Sequence, residues 1–160
     1  SALHEYSPTG EQAAELTCLS WSSPPPSLNP SKSPKKQAKA ASLVAVGTAG
    51  GHVIIWDTSR GEVKSTLGGA SKGHSSRVLD VAFGTGGTTV YASTAASRLV
   101  CWTVATGKEA WSVAVGKQAA RKIAVHPSGD NVATGATAIK VWDVGTHSSI
   151  RKYEGHASGV

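Results

Sequence analysis

The chain has 160 residues, 16 Lys and Arg against 10 Asp and Glu for a net charge of +6, 39% apolar residues and two cysteines. So few cysteines exclude a disulfide-rich secreted module. The uncharged stretch Ala40 to Trp56 is too short and too rich in glycine to read as a membrane span.

In chain order, Leu3-His4-Glu5-Tyr6 reads as the outer strand of a preceding unit. Leu16 to Trp21 alternates as an inner strand, Leu43 to Thr48 is a second, His52 to Trp56 a third and Val63 to Leu67 an outer fourth. The set repeats over Val78 to Phe83, Thr89 to Thr94, Arg98 to Trp102 and Glu109 to Val113. It repeats again over Lys122 to His126, Asn131 to Thr134, Ala138 to Trp142 and Ile150 to Tyr153. Turns rich in Gly, Ser and Thr separate these runs, and no stretch sustains a helical period. The fold expected is all-β.

Three tryptophans close the third strand of each set: Trp56, Trp102 and Trp142, 46 and 40 residues apart. Asp57 follows the first and Asp143 the last. A period near 40 to 45 residues with a Trp-Asp ending marks a four-stranded propeller blade. Gly61 and Gly107 stand five residues after their tryptophans, where a hairpin needs positive φ, and Gly145-Thr146-His147-Ser148 replaces that pattern in the last copy. The expected organisation is a fragment, 1–160, of one propeller. It has the outer strand 3–6 of a preceding blade, blades over 16–67, 78–113 and 121–154, and the start of another at 155–160. A propeller needs four to eight blades, and the chain has no methionine, so it reads as an excerpt of a larger protein.

These residues resemble the WD-repeat family, which adds a Gly-His before the first strand of a blade. Gly73-His74 and Gly155-His156 fit that position. The resemblance implies a buried chain from this His to a Ser/Thr on the second strand and the Trp of the third, with an Asp in the intervening turn. His74, Thr94 and Trp102 fit one blade; Thr134 and Trp142 fit the next. The turn Asp is missing, since Gly50-Gly51, Ala95-Ala96-Ser97 and Ala136-Thr137 occupy those turns, and Gly116-Lys117 stands where a Gly-His belongs. The repeats are therefore divergent.

Between Trp21 and Leu43 the strand pattern breaks into a segment with five of the seven prolines and four lysines, Lys32, Lys35, Lys36 and Lys39, and no acid. Placed inside one blade, 22–41 is expected to be a projecting disordered insertion. It is either a solvated insertion without a role or a basic tether for phosphate backbones or an acidic protein surface. Ser33-Pro34-Lys35-Lys36 has the form of a proline-directed phosphorylation site at Ser33, which would offset much of that charge.

Catalytic and metal constellations do not assemble in the sequence: no phosphate-binding Gly-Lys-Ser/Thr loop, no paired cysteines and six scattered histidines. Asp80 has the chemistry of a base but no partner visible in sequence. The tryptophans read as blade packing, with Trp111, on an outer strand, the one candidate for stacking a base. Cys18 and Cys101 fall on core-type strands of different blades, which argues against a disulfide and for a reducing compartment. The chain is expected to be no enzyme, to need no cofactor or metal, and to act without a small-molecule substrate or membrane.

An ordered series carries a closer resemblance: Leu3 to Tyr6, Leu16-Thr17-Cys18-Leu19-Ser20-Trp21, the Lys/Pro-rich insertion, Leu43 to Thr48, Ala138 to Trp142 and Tyr153-Glu154-Gly155-His156-Ala157. It resembles the WD-repeat protein forty-three / U-three protein five family. That resemblance implies a non-catalytic scaffold of the nucleus and nucleolus, in the early subcomplex of the small-subunit processome. Its implied roles are processing of the small-subunit rRNA precursor and rDNA transcription. The partners implied are other WD-repeat processome proteins and, directly or through them, the 5′ external spacer of the pre-rRNA. On this reading the lysines from Lys32 to Lys39 are the expected RNA or partner contact. A WD-repeat adaptor of another assembly, a ubiquitin-ligase receptor or a trafficking coat, is the alternative.

Overall fold

A computed structural model describes residues 15–22, 42–68 and 76–154. Twelve strands form three four-stranded antiparallel sheets, each a meander in chain order. The first sheet holds β1 (Leu16–Trp21), β2 (Leu43–Thr48), β3 (His52–Asp57) and β4 (Glu62–Gly68). The second holds β5 (Val78–Phe83), β6 (Thr89–Thr94), β7 (Arg98–Thr103) and β8 (Glu109–Ala114), with a single 3-10 turn at Thr85–Gly87. The third holds β9 (Lys122–Val125), β10 (Asn131–Gly135), β11 (Ala138–Asp143) and β12 (Ser148–Glu154). Several strands run a residue or two past the apolar runs that betray them. Backbone pairing continues to Asp57↔Glu62 and Asp143↔Ser148, where the side chains are polar.

The sheets stack face to face, with the inner strands β1, β5 and β9 adjacent. Period-two alternation gives the middle blade two buried faces. Leu43, Ala45, Val53, Ile55 and Leu67 of the first blade close on Val78, Val90, Val100 and Trp102 of the second. The other face of the second blade, with Tyr91, Leu99 and Cys101, closes on Val132 and Trp142 of the third. The Trp-bearing faces of the second and third blades thus look back at the preceding blade. Gly47 is required at the first seam, because a Cβ there would lie 2.5 Å from Cys18 Sγ and 2.6 Å from Val78 Cγ1. Such contacts are shorter than any packing tolerates.

Fine structure repeats along with the strands. The Trp residue of each third strand marks a bulge against the fourth, between Ile55/Trp56, Cys101/Trp102 and Val141/Trp142. The turn that follows closes the same way each time: the N–H of Gly61, Gly107 and His147 donates to the carbonyl of Asp57, Thr103 and Asp143 at 2.8, 2.9 and 2.9 Å. Its last residue is left-handed in all three, with φ of 68° at Gly61, 66° at Gly107 and 57° at His147. Glycine meets that requirement without strain, whereas His147 adopts it against its Cβ.

Candidate functional site: the blade seams and a basic cleft

The residues that link the repeats lie at the seams. Trp142 Nε1 donates to Thr134 Oγ1 at 2.9 Å with both side chains buried, which satisfies the indole N–H inside an apolar cluster. Thr94 and Trp102 are likewise buried on the second blade's backward face. Trp56 sits opposite Val44 on the equivalent face of the first blade. Thr48 occupies the position of Thr94 and Thr134, eight residues before the tryptophan in each blade. It is fully buried, and its Oγ1 accepts the His52 N–H at 3.0 Å. Sequence reasoning missed Thr48, although the shared spacing to the tryptophan was a usable signal.

The aspartates after tryptophan act on turns. Asp57 Oδ1 accepts from the Ser59 N–H at 2.9 Å, the Ser59 hydroxyl at 2.6 Å and the Arg60 N–H at 3.2 Å. Asp143 Oδ1 accepts from the Thr146 N–H at 2.7 Å and the Thr146 hydroxyl at 3.1 Å. These bonds favour the ionised form and hold both carboxyls below the usual carboxylate range. The Ser59 hydroxyl contributes most to Asp57, and the Thr146 amide most to Asp143. His74, His156, Lys32, Ser33, Lys35, Lys36 and Lys39, with the strand expected at 3–6, lie outside the described residues.

Three further contacts join blades where sequence offered no pairing. Asp80 Oδ2 accepts the Ile123 N–H at 2.9 Å, tying the start of β9 to β5, so the aspartate without a visible partner is an inter-blade clasp. Trp111 is half-buried. Its ring stacks on His147 of the next blade at 4.8 Å and 20°, with Tyr91 5.9 Å away on a tilted plane. One face of the indole is therefore occupied by protein. Cys18 and Cys101 are free thiols, and burial pushes Cys101 up to about 11, which leaves it protonated and inert at neutral pH. Among the described residues no three His, Cys, Asp or Glu side chains gather to hold a metal ion, and no helix is long and apolar enough to cross a membrane.

The third contact borders a cleft of about 640 Å³ between the second and third blades, where Gly116-Lys117 replaces a Gly-His. Lys140 reaches across it, its Nζ donating to the Val115 carbonyl at 2.5 Å and lying 5.8 Å from the Trp142 ring centroid. Lys117, Lys152 and Glu154 complete its charged lining. Lys152 pairs with Glu154.

No family model matches the chain. It is 27% identical over 165 residues to WD repeat-containing protein 43 of Homo sapiens, across 98% of this chain and 24% of that protein. It therefore spans about a quarter of that relative's length. The crystal structure of RRP9 WD40 repeats superposes with a TM-score of 0.74 at 18% identity, over 92% of this chain and 41% of that one. With the Trp period, the repeated turn and the Thr134–Trp142 bond, those likenesses make the chain similar to WD-repeat proteins and give it the fold of WD40 repeats.

Proposed function

We propose that this chain is part of a non-catalytic scaffold of ribosome biogenesis, a WD-repeat subunit of the early small-subunit processome acting in the nucleolus. WD-repeat propellers generally present binding surfaces for other proteins, and the blades here carry exposed rims around a rigid, doubly packed middle sheet. The observation that carries the finer reading is the similarity to WD repeat-containing protein 43, which runs through 98% of the chain and not through one repeat alone. The partners proposed are other WD-repeat processome proteins and the 5′ external spacer of the pre-rRNA, direct or indirect, with the lysines from Lys32 to Lys39 as one contact. Phosphorylation at Ser33 would weaken that contact by offsetting its charge.

Affinity purification of the tagged intact protein tests the assignment. Co-purification of the 5′ external spacer with other processome propellers is the expected result. An eluate of unrelated partners without pre-rRNA would refute the processome role and leave the propeller standing.

A further inference from the structure

We propose that the end of the propeller bearing the turn between the second and third strands of each blade (the b–c turn) and the blade-to-blade connections is a track for a nucleic-acid phosphate backbone, seated in the cleft lined by Lys117, Lys140 and Lys152. The antiparallel meander places the b–c turn, the end of the fourth strand and the connection to the next blade at one end of each sheet. Lys140 near the start of β11, Lys152 near the end of β12 and Lys117 in the connection therefore converge. Ser22 and Ser42, which flank the lysine-rich insertion, sit at the opposite end, so this is a separate basic surface.

Two features set the cleft apart from an ordinary solvated rim. Lys140 and Lys152 are directly paired across β11 and β12 and face the same cleft. Like charges at opposed strand positions repel and destabilise the pair unless a counter-charge is present. Glu154 engages Lys152, whereas among the described residues Lys140 directs one of its three N–H donors to protein, at the Val115 carbonyl. Half-buried and held over Trp142, its ammonium is fixed at the cleft with donors to spare.

The charge also continues. The same connection carries Arg121, and Lys122 opens β9; with Arg77 they line a second cleft beside the inner strands β5 and β9. Six cations thus run from the rim to the centre, against the carboxylates of Glu154 and of Glu15, which pairs with Arg77 at 3.2 Å. A row of separated point charges suits the successive phosphates of a strand. An isolated phosphoryl group would call for a single convergent site with forked arginine contacts. Contact is to the backbone, without base readout. This does not depend on the assembly the protein serves: a purification lacking pre-rRNA would remove the processome reading and leave the track intact.

The test is fluorescence anisotropy of fluorescein-labelled oligouridine and oligodeoxythymidine with the intact protein across a salt series. Removing three phosphate contacts with K117Q/K140M/K152Q is expected to lower the slope of log affinity against log salt by about 2 and to weaken binding about tenfold. The exposed single change K117Q, which touches no packing, is expected to lower the slope by about 0.7. Equal binding of both oligomers identifies the shared backbone, and a preference for oligouridine identifies RNA; either supports the track. Unchanged slopes in both variants would overturn it. So would poly-glutamate binding as tightly as oligouridine, or binding lost only on neutralising Lys32, Lys35, Lys36 and Lys39.

Discussion

Changing His147 separates two opposed effects at the seam between the second and third blades. Its left-handed backbone, φ 57°, costs a residue with a Cβ about 1 kcal/mol relative to glycine. Its ring, stacked on Trp111 at 4.8 Å, recovers about 0.5–1.5 kcal/mol beyond the apolar area covered. His147→Ala keeps the strain and loses the stack, so it should destabilise the seam by roughly 1 kcal/mol. His147→Gly loses the stack but relaxes the backbone, and should come out about 1 kcal/mol better than alanine. Because stability in stacked repeats is a sum of unit and nearest-neighbour terms, the effect should stay local. Native-state hydrogen exchange of the intact protein, read in peptides from β8 and β12, is the suitable assay. A cycle of Trp111→Ala, His147→Ala and the double variant should return a coupling of about 0.5–1.5 kcal/mol. A coupling indistinguishable from zero, or glycine no better than alanine, would refute this account of why histidine stands where the other two turns have glycine.

Thr134→Val keeps the shape of the side chain but leaves the Trp142 N–H buried without its acceptor, and should cost about 1–3 kcal/mol by denaturant titration. Trp142→Phe in that background should cost less than in the wild type. Asp80→Ala removes the acceptor for the Ile123 N–H, and exchange of that amide should accelerate while amides of β2 and β3 keep their rates. The carboxyls of Asp57 and Asp143 titrate below their ordinary value of 3.8 in the fold. The stability each supplies is therefore fully present above that value and is lost as pH falls through the depressed folded values. Asp57→Asn should flatten the acid limb of a pH–stability curve; an unaltered limb would show that the turn bonds do not favour the ionised carboxylate.

The strands were legible because packing fixes their side chains. Trp102 and Trp142 recur because each fills a seam between blades, and the period-two runs of the second blade record its two buried faces. Thr134 and Trp142, which the resemblance to WD repeats pairs, share a hydrogen bond of 2.9 Å. What escaped was long-range and involved backbone partners. Asp80 finds its donor at the amide of Ile123, 43 residues on, and an amide leaves no mark in sequence. Trp111 looked available because it lies on an outer strand, yet the bend of the next blade's turn brings His147 onto its ring. The cross-strand opposition of Lys140 and Lys152 depended on the β11–β12 register, which a bulge beside Trp142 shifts by one residue.

Acute depletion of the intact protein, followed by hybridisation of cellular RNA with probes to the 5′ external spacer, tests the central functional claim most directly. The account predicts accumulation of precursors that retain the spacer and a fall in small-subunit rRNA relative to large-subunit rRNA. Normal precursor ratios after complete depletion would contradict a role in small-subunit assembly.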